Sequence, residues 1–177
     1  MQPRRMLAAT AATAFAALAA VVISACSSAP SDARIGIQAP DRTQFPPVAD
    51  FLVHRCGSLD CHGNPQRNLV MWGTEGLRLA NPDASIAPVP GGARTSVAEY
   101  DATYRSLVGL EPTLMSEVVA GHGAHPEVLT FVRKARGEEH HKGGQLITPG
   151  DDQDVCIASW LAGATDMTRC ANALNTP

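Results

Sequence analysis

Two cysteines separated by four residues, with a histidine directly after the second, constrain this chain more than any other feature: Cys56-Gly-Ser-Leu-Asp-Cys61-His62. Two sulfurs and an imidazole on one short loop either bond each other or grip a common partner. Three chemistries use such a set. Thioether bonds from both sulfurs to porphyrin vinyl groups, with the adjacent His62 on the iron, attach a c-type haem, usually across two intervening residues rather than four. A Cys56–Cys61 disulfide would instead make the loop a staple and leave His62 incidental. A zinc ion would take Cys56, Cys61 and His62, with His54 or His141 completing a tetrahedral set.

The first 25 residues stand apart from any fold. Met1–Arg5 holds two arginines and no acid, Met6–Ile23 is an almost unbroken apolar run, and Ser24-Ala25 supplies small residues ahead of Cys26. Together these read as a secretory signal that is removed, not a retained span. Ile23-Ser24-Ala25-Cys26 resembles a bacterial lipobox, which implies acylation of Cys26 as the first mature residue. Each buried acyl methylene contributes about 0.8 kcal/mol, so two or more chains anchor a protein without a spanning helix. The expected location is the cell envelope, on a bacterial membrane and outside the cytoplasm.

That compartment is oxidising, and unpaired thiols are uncommon there. With Cys26 taken by lipid, Cys56, Cys61, Cys156 and Cys170 remain. If haem consumes the first pair, a Cys156–Cys170 disulfide is what is left. Cleavage removes two of the 14 basic residues and none of the 17 acidic ones, taking the net charge from −3 to −5. Such a surface argues against nucleic acid as a partner and offers no basic membrane-binding face. Aromatic residues make up 5% of the chain, against 15 glycines and 13 prolines. A core so poor in large rings needs covalent staples.

Coarse patterning predicts three segments: a signal over 1–25, a flexible tether over 26–45, and one domain over 46–177. Within the domain the periodicity is helical. Pro47 suits the first turn of a helix over Val48–Arg55 that leads straight into the cysteine loop. Ser96-Val-Ala-Glu99 is a capping box opening a helix to Leu110, with Val97, Tyr100, Tyr104, Leu107 and Val108 on one face. Further helices are expected over Pro112–Val119, Pro126–Arg136 and Asp151–Ala162, the last of them closing the fold. Asn68–Leu79 reads as an irregular wrapping segment and Asn81–Gly92 as loop. Trp160 is expected to pack the last helix on the first, around Phe51 and Leu52. The fold class is mostly α, with long irregular connections.

Four short motifs in order carry a wider likeness: Cys61-His-Gly63, Gly76-Leu-Arg-Leu79, His141-Lys-Gly-Gly144 and Trp160-Leu-Ala-Gly-Ala164. This succession resembles the small cytochrome c-like domains of planctomycete and myxobacterial surface proteins, over Phe51 to about Ala164. The chain departs from that pattern in its wide cysteine spacing, similar to attachment sites of some multihaem and bacterial cytochromes, and in carrying Cys156 and Cys170. The resemblance implies a helical cytochrome c-like fold and a covalent haem c on Cys56 and Cys61. It also implies iron ligation by His62, with His141 as the opposite ligand. Met71, Met115 and Met167 are the rivals for that sixth position, and a methionine there would raise the reduction potential. Arg67 and Arg78 are candidate partners for haem propionates.

The implied function is a membrane-anchored monohaem electron carrier that is not an enzyme and whose redox partner the sequence does not identify. The alternative is a disulfide-stapled lipoprotein without cofactor, acting as a structural or interaction module. No serine elbow, phosphate loop or His-Glu-x-x-His points to catalysis.

Overall fold

Pro46 and Pro47 pre-set the backbone angle of a first helical turn, where their missing N–H groups cost nothing. The apolar run behind them then forms helix α1, Pro46–Cys56, which buries Val48, Ala49, Phe51, Leu52 and Val53 and ends where the Gly57 N–H bonds Val53 O at 2.8 Å. The computed structural model that shows this describes residues 36–176, apart from 82, 84, 86 and 88. Cys26 and the 1–25 signal lie outside the described residues. No helix among those described is long and apolar enough to cross a membrane.

Five more α-helices follow: α2 (Val97–Val108), α3 (Pro112–Ala120), α4 (Thr130–Ala135), α5 (Asp152–Leu161) and α6 (Met167–Asn175). The described residues contain no strand, only an isolated bridge between Trp72 and Leu77. The mostly α expectation holds. Helix α1 is the hub, with α2, α5 and α6 packed against it.

The last residues of the stretch expected as a tether, just before Pro46, already belong to the core. Phe45 is buried, with its ring centroid 4.8 Å from Trp160 and 5.5 Å from Tyr104. Trp160 Nε1–H donates to Asp41 O at 3.0 Å and the Tyr104 hydroxyl to Pro40 O at 2.7 Å. A buried indole N–H or phenol O–H needs an acceptor, and the backbone of residues 40 and 41 supplies both. Trp160 thus joins the same core as Phe51 and Leu52, though its aromatic neighbours are Phe45 and Tyr104.

Helix α2 carries the predicted capping box: Ser96 Oγ accepts from Glu99 N–H, and Glu99 reaches back to the Ser96 N–H. Its inward face differs from the expected one. Val97 is 76% exposed, whereas Glu99, Thr103 and Leu107 are buried. Glu99 can be buried because Arg78 Nε donates to it at 2.8 Å and Leu79 N–H at 3.1 Å. Burial raises the Glu99 carboxyl, but Arg78 and the backbone donors outweigh that and hold it below its ordinary value.

The helix expected over Pro126–Arg136 is broken in two. A 3-10 turn at Pro126–Val128 gives way to extended backbone at Leu129 (φ −80°, ψ 125°) before α4 begins. Leu129 is fully buried, and the Glu111 carboxylate caps the restart by accepting from both Thr130 N–H and Oγ1–H at 2.7 Å.

Helix α6 was not expected. Asp166 caps it by accepting from Thr168 and Arg169 N–H, and only Cys170 and Ala173 are buried along it. Cys170 is bonded to Cys156 on α5, so the disulfide left over in the cysteine tally is present. It ties α6 to α5.

Candidate functional site

The cysteine loop leaves α1 and folds back on itself. His62 N–H donates to Cys56 O at 3.0 Å, and Gly63 N–H donates to Ser58 O at 2.9 Å. Three glycines meet here: a Cβ on either Gly63 or Gly76 would collide with the carbonyl oxygen of Gly57. Two of the short motifs, Cys61-His-Gly63 and Gly76-Leu-Arg-Leu79, therefore carry glycine for close backbone approach.

Cys56, Cys61 and His62 line one wall of a cleft of about 470 Å³, within the range of small-molecule and cofactor sites. Leu52, Leu69, Met71, Phe131 and Leu146 give it an apolar interior, and Arg67, Lys134 and Lys142 also line it. His141 faces His62 across the space. Their ring centroids are 6.0 Å apart and their planes are inclined by 22°.

The tautomer of His62 follows from its partner. Its Nδ1 lies 2.9 Å from Leu69 O, and a carbonyl only accepts, so Nδ1 carries the proton and Nε2 keeps its lone pair. A histidine that ligates a metal is typically held through its other nitrogen in this way. Burial, with the nearby His141 and Arg67, lowers the His62 pKa despite the Leu69 carbonyl, which favours the neutral ring. On the other wall, His141 Nδ1 is buried with no partner among the described residues. The His141 ring lies against Gly143, where an added Cβ would come within 2.9 Å of Cε1. The glycine is what lets the ring sit there.

Cys56 and Cys61 are free thiols, not bonded to each other. Burial pushes Cys56 up to about 11, so it is a protonated thiol at neutral pH. His54 is absent from the cleft: it pairs with Glu75 at 2.5 Å. No group of three or more His, Cys, Asp or Glu side chains is placed to hold a metal ion among the described residues.

Of the rival sulfur ligands, only Met71 lines the cleft. Its N–H bonds His62 O at 2.7 Å, so its backbone is fastened beside His62. Met115 is buried in the core and Met167 is 62% exposed. Arg78 is committed to Glu99 and to the carbonyls of Ala93 and Arg94, which removes it as a propionate partner. Arg67 lines the cleft, and its guanidinium donates to Asp60 O at 3.3 Å. His140, beside the expected ligand His141, also lines the cleft, as do Lys134 and Lys142, which nothing in the sequence pattern singles out.

The chain is a mainly helical protein with two thiols and three imidazoles lining one largely apolar cleft. No known protein family, curated protein or solved structure matches it.

Proposed function

We propose that the protein is a membrane-anchored c-type monohaem protein that transfers electrons and catalyses no reaction of its own. The observation that carries this reading is the pair His62 and His141, 6.0 Å apart across the cleft that Cys56 and Cys61 also line. Two imidazoles that shared one metal, each with a nitrogen about 2 Å from it, would have to come about this close. The buried, partnerless Nδ1 of His141 and the glycine beneath its ring fit a second ligand. Haem would supply a one-electron couple, tuned by its axial ligands and its burial. In this reading Cys56 and Cys61 would attach it, His62 and His141 would ligate the iron, and Arg67 and Lys142 would offset propionate charge, Lys134 being paired with Glu139 at 2.7 Å. Cys26 would carry the lipid on the periplasmic or outer side of a bacterial membrane.

The test is expression with a cytochrome c maturation system. A Soret band, and a haem mass that stays with the polypeptide after denaturation and is lost in the double variant Cys56→Ser/Cys61→Ser, are the expected results. A folded, colourless product would overturn the reading. If Cys56 and Cys61 were then found oxidised to each other, the scaffold function would stand in its place.

A further inference from the structure

The peptide plane between Leu69 and Val70 makes two hydrogen bonds in opposite directions. Its carbonyl, Leu69 O, accepts from His62 Nδ1 at 2.9 Å. Its N–H, on Val70, donates to Ser106 Oγ on α2 at 2.8 Å. One turn earlier on the same helix, Thr103 pins the next stretch of chain: its Oγ1 accepts from Trp72 N–H at 2.9 Å and donates to Trp72 O at 3.1 Å. The segment is irregular and has no secondary structure of its own to orient that peptide. Its direction is set by the two hydroxyls together with the Met71 N–H, which donates to His62 O at 2.7 Å.

We propose that Ser106 is a positioning residue for His62, acting through the single peptide unit that joins Leu69 to Val70. The relay runs Ser106 Oγ, Val70 N–H, Leu69 C=O, His62 Nδ1–H. Hydrogen bonds in series polarise one another. An amide whose N–H is engaged holds more negative charge on its oxygen, which becomes a stronger acceptor for the imidazole proton. A stronger acceptor at Nδ1 raises the electron density at Nε2, as outer partners do for metal-bound histidines generally. Ser106 thus fixes the His62 ring plane and its tautomer, and strengthens Nε2 as a donor. The effect on potential rests on the haem reading above; the effect on the ring does not.

The experiment has two arms. In the full-length mature chain prepared without haem, long-range proton–nitrogen NMR reports which His62 nitrogen carries the proton, and amide exchange reports on Val70. The wild type is expected to hold the Nδ1–H form and a protected Val70 amide. Ser106→Ala is expected to speed Val70 exchange at least tenfold and to admit the other tautomer, with amides of α1 unchanged and Ser106→Thr restoring both. A wild-type His62 protonated at Nε2 overturns the proposal whether or not any variant folds. In haem-loaded protein, Ser106→Ala is expected to raise the potential by reducing the ferric-state preference twofold to tenfold, a tenfold change being about 59 mV for one electron. An unmoved potential in haem-loaded Ser106→Ala overturns the relay while leaving the haem reading intact. A chain that takes no haem defeats that reading, and the first arm still decides the role of Ser106.

Discussion

Glu99 shows how a single residue can be read correctly for one role and missed for another. As the fourth position of Ser96-Val-Ala-Glu it is legible as a cap. Nothing in the periodicity of α2 says that the same carboxylate also accepts from Arg78 and Leu79 and is 1% exposed. Hydrophobic patterning sees only apolar residues, so it placed Val97 inward and left Glu99 and Thr103 out. Their partners come from the irregular 72–79 stretch, which no local rule brings to this face. Removing one partner of a buried pair leaves the other uncompensated, at a cost of about 3–5 kcal/mol. Glu99→Gln is therefore expected to lose stability of that order in urea unfolding at neutral pH. The pH dependence has a definite sign. Glu99 sits below its ordinary value of 4.5, so its contribution is complete above 4.5 and declines as pH falls through the lower, folded value. The wild-type urea midpoint should drop in that acid range, and the drop should be smaller in Glu99→Gln.

Among the elements, those with a strong local start were legible: α1 behind two prolines, α2 behind its capping box, α3 behind Pro112, and α5 behind Asp151, whose side chain accepts from Asp154 N–H. Where the start signal comes from elsewhere in the chain, the reading failed. The residue that restarts the chain at Thr130 is Glu111, 19 positions earlier. Helix α6 was missed although Asp166 caps it locally: it is nine residues long and buries only Cys170 and Ala173, the first of them bonded to α5. Its link to Cys156 spans a sequence separation of 14, for which loop-closure entropy gives about 3 kcal/mol. The double variant Cys156→Ala/Cys170→Ala is expected to lose roughly that much. Because α6 packs on α1 as well as α5, amide exchange should rise in α6 first and then along α1. Destabilisation confined to α6 would mean that α1 does not depend on it.

For the molecule as a whole, the helical class was legible because proline, capping residues and 3.6-residue spacing all act locally. The cleft was legible only in its donors. Cys56, Cys61 and His62 sit side by side in sequence, whereas His141 lies far along the chain and Gly143 is what seats its ring. The irregular stretch that bonds His62 through Leu69 O carried no periodic signal at all. Two walls of different origin, one from α1 and its loop and one from α4 and residues 140–146, border the cleft. A group bound to both would restrain them in the folded state but not in the unfolded chain, and binding of that kind stabilises by mass action or by cross-linking. Haem-loaded protein is expected to melt above the haem-free chain, by about 2–4 °C for each added kcal/mol at this size. Equal melting temperatures would show that the group does not join the walls.

The Gly57 carbonyl, closed in on one side by Gly63 and on the other by Gly76, bears on how this loop can be re-engineered. A two-residue-spaced cysteine segment grafted from another protein would keep the sulfurs but move that oxygen, and the turn at residues 73–76 would lose the surface it rests on. The two stretches form one interchangeable cassette, to be transplanted together or left alone.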